Sequence, residues 1–147
     1  MKKLLAISMA LVLALALCAC GGGSSSESKS NGFVGKWEME SYNSTVSQAD
    51  NHTLEVKMEI LDDKSFSYSE SETDSQGHYL KTIVSGTYTE SDNKADFNYT
   101  HVSTSNSDNN TSEADEKGTF KGTLDGDKMT IEMERYGDTS TIIFKRA

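Results

Sequence analysis

The sequence predicts an all-β fold, an eight-stranded antiparallel up-and-down barrel, and three observations predict it. From Phe33 onward apolar and polar residues alternate with a period of two, with no sustained 3.6-residue stripe. The alternation falls into eight segments of strand length, and short polar turns join most of them. At 147 residues the chain has room for one domain.

Taken in order, KWEME turns Trp37 and Met39 inward. TLEVKMEIL, residues 53–61, is the clearest segment: Leu54, Val56, Met58 and Ile60 face one way while Glu55, Lys57 and Glu59 face the other, as in a half-buried antiparallel strand. SFSYS contributes Phe66 and Tyr68. HYLKTIVSGTYTE, residues 78–90, is expected to turn Leu80, Val84 and Tyr88 inward, with Tyr79 and Ile83 on the other face leaving its register open. ADFNYTH contributes Phe97 and Tyr99, GTFKGTL Phe120 and Leu124, KMTIEMERY Met129, Ile131 and Met133, and STIIFKR Ile142 and Phe144.

Residues 61–65, 91–95, 124–128 and 135–139 read as hairpin turns, two of them with Asp or Tyr next to glycine. Residues 41–51 and 103–116 read as longer connections, and the second, STSNSDNNTSEADE, can bury almost nothing. Consecutive strands joined by short turns make a meander. Its single apolar face must close on itself as a barrel or fold into a sandwich. The chain contains no proline with which to guard exposed edges, and closure removes edges without it, which favours the barrel.

The N-terminus differs from everything that follows. Met1-Lys2-Lys3 is a short basic head, and residues 4–17 are apolar apart from Ser8, the plan of a secretory signal peptide too short to span a membrane. A disulfide between Cys18 and Cys20 would close a very small strained ring, and neither cysteine has neighbours at metal-ligand spacing. Leu17-Cys18-Ala19-Cys20 resembles the lipobox of bacterial lipoproteins. That resemblance implies a signal peptide at residues 1–19, diacylglyceryl attachment at Cys20, and a cell-membrane location on the extracytoplasmic face. Two acyl chains hold a protein stably where one binds marginally. Residues 20–32 then form the lipidated cysteine and a Gly/Ser linker with a span of roughly 20 Å, and residues 33–147 form the domain. Loss of Lys2 and Lys3 takes the formal charge from −9 to −11, so nucleic acid is not an expected partner.

Gly35-Lys36-Trp37 opens the first strand and Phe144-Lys145-Arg146 ends the last. This G-x-W motif with a terminal basic residue resembles the lipocalin-like (calycin) barrels, in particular the small lipocalin-like lipoproteins of bacteria. The resemblance implies that Trp37 plugs the barrel base and that a basic residue packs across its ring. Strand parity selects Arg146 over Lys145, because Ile142, Phe144 and Arg146 share a face.

Few residues suggest chemistry. His52, His78 and His101 fall on or beside different strands. Asp108, Asn110 and Ser112 loosely follow a calcium loop but lack its glycine and its twelfth-position acid, where Thr119 stands. No serine lies in a nucleophile-elbow context. No catalytic residue, metal ligand or cofactor is therefore expected, and the chain reads as a monomeric binding or interaction protein rather than an enzyme. The inward set Met39, Met58, Phe66, Tyr68, Tyr88, Phe97, Tyr99, Phe120, Met129 and Met133 either lines a pocket for a small hydrophobic ligand or fills the barrel outright. In the second case the partner is another envelope protein. Substituting Cys20→Ser should release the protein from the membrane or leave it unprocessed; unchanged membrane fractionation would overturn the lipidation assignment.

Overall fold

A computed structural model describes residues 32–45, 51–135 and 137–147. The expected signal peptide, Cys20 and the linker up to residue 31 lie outside the described residues. Nine strands follow in chain order: β1 (Gly35–Ser44), β2 (Thr53–Ile60), β3 (Ser65–Thr73), β4 (Tyr79–Ser91), β5 (Lys94–Asn106), β6 (Thr111–Ala114), β7 (Gly118–Asp125), β8 (Lys128–Arg135) and β9 (Asp138–Arg146). They lie in the order β4-β3-β2-β1-β9-β8-β7-β5-β6, and a further pairing of β4 with β5 closes the circle. Eight strands make the wall of a closed antiparallel up-and-down barrel, and β6 is an addition to one part of β5.

The alternation of the sequence becomes the inside and outside of this wall. Val56, Met58 and Ile60 of β2 are buried, as are Phe66 and Tyr68 of β3, Val84 and Tyr88 of β4, Met129 and Ile131 of β8, and Ile142 and Phe144 of β9. Among the described residues, no polar or charged residue is buried. Two bulges bend the strands that must curve most. The β1–β9 register shifts between Met39 and Ser41, so the inward side passes from Trp37 and Met39 to Tyr42 and Ser44. The β4–β5 register shifts between Ser85 and Gly86, where Ser85 faces His101 and Gly86 faces Tyr99, and the inward side of β5 passes from Phe97 and Tyr99 to Val102.

All four expected hairpin turns are present. At the β2–β3 turn Leu61 N donates to Ser65 O at 2.9 Å, and Asp63 Oδ1 accepts Ser65 N at 3.0 Å. The β3–β4 turn is held by Asp74, whose Oδ1 accepts the backbone N–H groups of Gln76 and His78 at 2.8 and 2.9 Å. The bond with His78 holds the Asp74 carboxyl below its usual range. At the β7–β8 turn Gly126 takes φ 61°, the left-handed conformation that a two-residue hairpin asks of its first residue.

Two expectations need correction. Residues 103–116 are not one open connection: β5 continues to Asn106, and β6 returns beside it with Val102 facing Ala114 and Ser105 facing Thr111. All four β6 residues are exposed, so this strand rests on backbone pairing rather than apolar burial. Asn106 makes its turn, with Oδ1 accepting the N–H groups of Asp108 and Asn110 at 3.1 Å each. Leu80, expected inside, is 53% exposed. It has the inward parity, but its register partners are Glu72 and Asn106, where β3, β4 and β5 have run past the apolar filling.

The centre of the barrel is aromatic. Phe97 stacks on Phe120 with ring centroids 5.0 Å apart and planes 16° apart, lies over Tyr88 at 5.5 Å, and receives the edge of Phe66 at 5.2 Å. Phe97→Ala should therefore lower unfolding stability by about 3–5 kcal/mol, measured by urea denaturation. A loss below about 1 kcal/mol would contradict a tightly packed centre.

Candidate functional site

The base is closed by the two ends of the domain. Register places Trp37 of β1 opposite Arg146 of β9, and the Arg146 guanidinium carbon lies 4.3 Å from the Trp37 ring centroid. Trp37 Nε1 donates to Phe33 O at 2.8 Å, and Phe33 itself is fully buried. Arg146 Nη1 donates to Val34 O at 2.9 Å, and Nη2 donates to Gly32 O. Arg146 thus ties the entering chain down while covering the indole. Gly35 permits this: its φ is 142°, and a Cβ there would meet Arg146 Nη1 at 2.9 Å. Gly35, Trp37 and Arg146 form a clamp of backbone, ring and guanidinium that holds the base shut.

Beside and above the clamp lie the ten candidate lining residues. Met58, Phe66, Tyr68, Tyr88, Phe97, Phe120 and Met129 are buried in one continuous cluster, and Met39, Tyr99 and Met133 are half-buried against it. The recess bounded by Tyr68, Val84, Phe120 and Met133 has a volume of about 20 Å³. That is room for about one water molecule, whereas ligand pockets measure roughly 300–1,000 Å³. These residues pack chiefly on one another.

The histidines do not meet. His52 Nδ1 lies 2.6 Å from Glu72 Oε1, His78 Nδ1 lies 3.1 Å from Asp74 Oδ2, and His101 Nδ1 lies 3.6 Å from Asp115 Oδ1. Each is partnered by its own carboxylate. Among the described residues, no three His, Cys, Asp or Glu side chains are placed to share a metal ion. At the same end of the barrel as the clamp Lys64, in the β2–β3 turn, binds Glu90 at 2.6 Å, which raises the lysine above its usual range, and its ammonium sits 5.0 Å from the Tyr88 ring centre. Burial raises the Tyr88 phenol.

The concave feature of greatest interest lies in the wall. The β7–β8 ladder runs from Asp125 facing Lys128 to Lys121 facing Glu132 and stops there, although β7 begins at Gly118 and β8 continues to Arg135. Over the unpaired stretch the strands diverge and leave a cleft of about 400 Å³ between Glu116, Lys117 and Thr119 on one lip and Glu134 and Gly137 on the other. Tyr99 lines both this cleft and the small recess beneath it. Period-two alternation carries no signal for this break, because alternation specifies which face a side chain takes and says nothing of where a ladder ends.

A second hollow, about 290 Å³, lies on the outer face of β1, β2 and β3. Two of its charges are paired there, Lys36 Nζ lying 3.6 Å from Glu59 Oε1. The base clamp is open to a direct test. A double-mutant cycle of Trp37→Leu with Arg146→Met should give a coupling of about 0.5–2 kcal/mol in unfolding stability; additive losses would show that the carbonyls alone hold the guanidinium. No protein-family model matches this chain, and no curated protein matches it.

Proposed function

We propose that this chain is a lipid-anchored lipoprotein of the extracytoplasmic membrane face, whose lipocalin-like barrel acts as a contact module through its outer surface and wall. The observation that carries this reading is the packed interior: Phe66, Tyr88, Phe97 and Phe120 pack on one another, and the recess bordered by Tyr68, Val84, Phe120 and Met133 measures about 20 Å³. A carrier of small hydrophobic molecules needs a cavity more than ten times that size. The lipobox-like Leu17-Cys18-Ala19-Cys20 supports the anchor. The G-x-W of Gly35 and Trp37, capped by Arg146, supports the lipocalin-like assignment.

The domain enters at Gly32, beside the clamped base. A tether from Cys20 therefore places the base toward the membrane, and the β3–β4 and β5–β6 turns at the opposite end point away from it. A polar linker of this length spans roughly 20 Å, enough to let the wall of the barrel meet a neighbour in the envelope.

Native mass spectrometry of the protein purified from its own host should give the mass of the lipidated chain with no small-molecule adduct. A stoichiometric hydrophobic adduct would overturn the contact-module reading in favour of a ligand carrier.

A further inference from the structure

The wall cleft is bordered by strand edges that have no strand beside them. One edge of β5 is fully taken by β4, so β6 and β7 share the other: residues 94–99 pair with β7, and residues 102–105 pair with β6. The far edges of β6 and of the first residues of β7 therefore face the same way, toward the end of β8. Among the described residues, no ladder joins residues 118–120 to residues 133–135. Their main-chain groups present the template to which an extended chain adds.

The side chains fit the same occupant. Phe120 and Met133 have inward parity, and the recess between them is floored by Tyr68 and Val84. Its volume of about 20 Å³ suits a methyl-sized group. Tyr99 reaches the cleft because Gly118 has no Cβ: one built there would lie 2.2 Å from Tyr99 Oη. The lips carry Glu116, Lys117 and Glu134, and the whole chain has a net charge of −9, which attracts a cationic segment.

We infer that the cleft between β7 and β8 is a strand-addition site for an extended, cationic peptide segment of a partner protein. The segment lies antiparallel to the β6–β7 edge, with one small apolar side chain in the recess and lysine or arginine facing Glu134. Because β7 and β8 are antiparallel to each other, one added strand is antiparallel to one of them alone, and the β6–β7 edge is the longer. The inference rests on the contact-module reading and names the partner's chemistry.

The test is selection of a random phage-displayed dodecapeptide library on the full-length chain, followed by synthesis of the enriched peptides. Enriched peptides should alternate small apolar with basic residues and protect amides of residues 111–114 or 118–120 from hydrogen exchange. N-methylation of alternate peptide amides should weaken binding at least tenfold. Thr119→Trp, which fills the cleft from an exposed position, should do the same, and Ser67→Trp, on the outer face of β3, should change nothing. Thermal melts of both variants confirm the fold. Absence of enriched peptides, equal binding to Thr119→Trp, protection elsewhere, or indifference to N-methylation would each overturn the inference. None of these outcomes bears on whether an adduct is found by mass spectrometry, so this proposal can fail while the contact-module reading stands.

Discussion

The shared edge of β5 is the constraint on which the rest of the structure depends. Phe97 of β5 stacks on Phe120 of β7, its register partner, and that stack fixes where β7 joins the wall. Farther along, the same edge is occupied by β6. Two strands cannot occupy the same stretch of edge. β7 therefore begins where β6 has ended, and the last residues of β8 have β9 on one side and no ladder to β7 on the other. The closed lower barrel, the appended hairpin and the cleft in the wall all follow from how one strand divides its hydrogen bonds between two neighbours.

The filling follows from the same geometry. An eight-stranded barrel is just wide enough for side chains to occupy, and whether a cavity remains depends on their size near the axis. Here four of the residues close to the axis are Phe66, Tyr88, Phe97 and Phe120, and aromatic rings supply much buried area in a small space. Met58 and Met129 join the same core cluster, and Met39 and Met133 pack against it. With the base shut by Trp37 and Arg146, the described residues keep most of their apolar surface inside the barrel. The exceptions are few: Leu61, Tyr79 and Leu80 are the large exposed apolar residues among those described.

Electrostatics is confined to the outside. No polar or charged side chain is buried among the described residues, and the ion pairs are between exposed or half-exposed partners such as Lys128 with Glu40 and Lys57 with Glu55. Such pairs contribute little to stability. The net charge of −9 bears instead on encounter, disfavouring anionic surfaces and favouring cationic ones.

By itself the sequence determined the eight wall strands, most of their inward residues and the up-and-down order, because alternation and turn chemistry are local and survive in a linear reading. TLEVKMEIL became β2 with Val56, Met58 and Ile60 buried, and STIIFKR became the end of β9 with Ile142, Phe144 and Arg146 on one side. Tertiary structure alone decided the bulge that turns Tyr42 inward, the exposure of Leu80, the pairing of β6 and the gap between β7 and β8. It also decided that the inward residues meet one another across the axis. Each of these depends on which strand lies beside which and where the pairing stops. Those distances are set by residues far apart in the chain, so no local pattern in either strand records them.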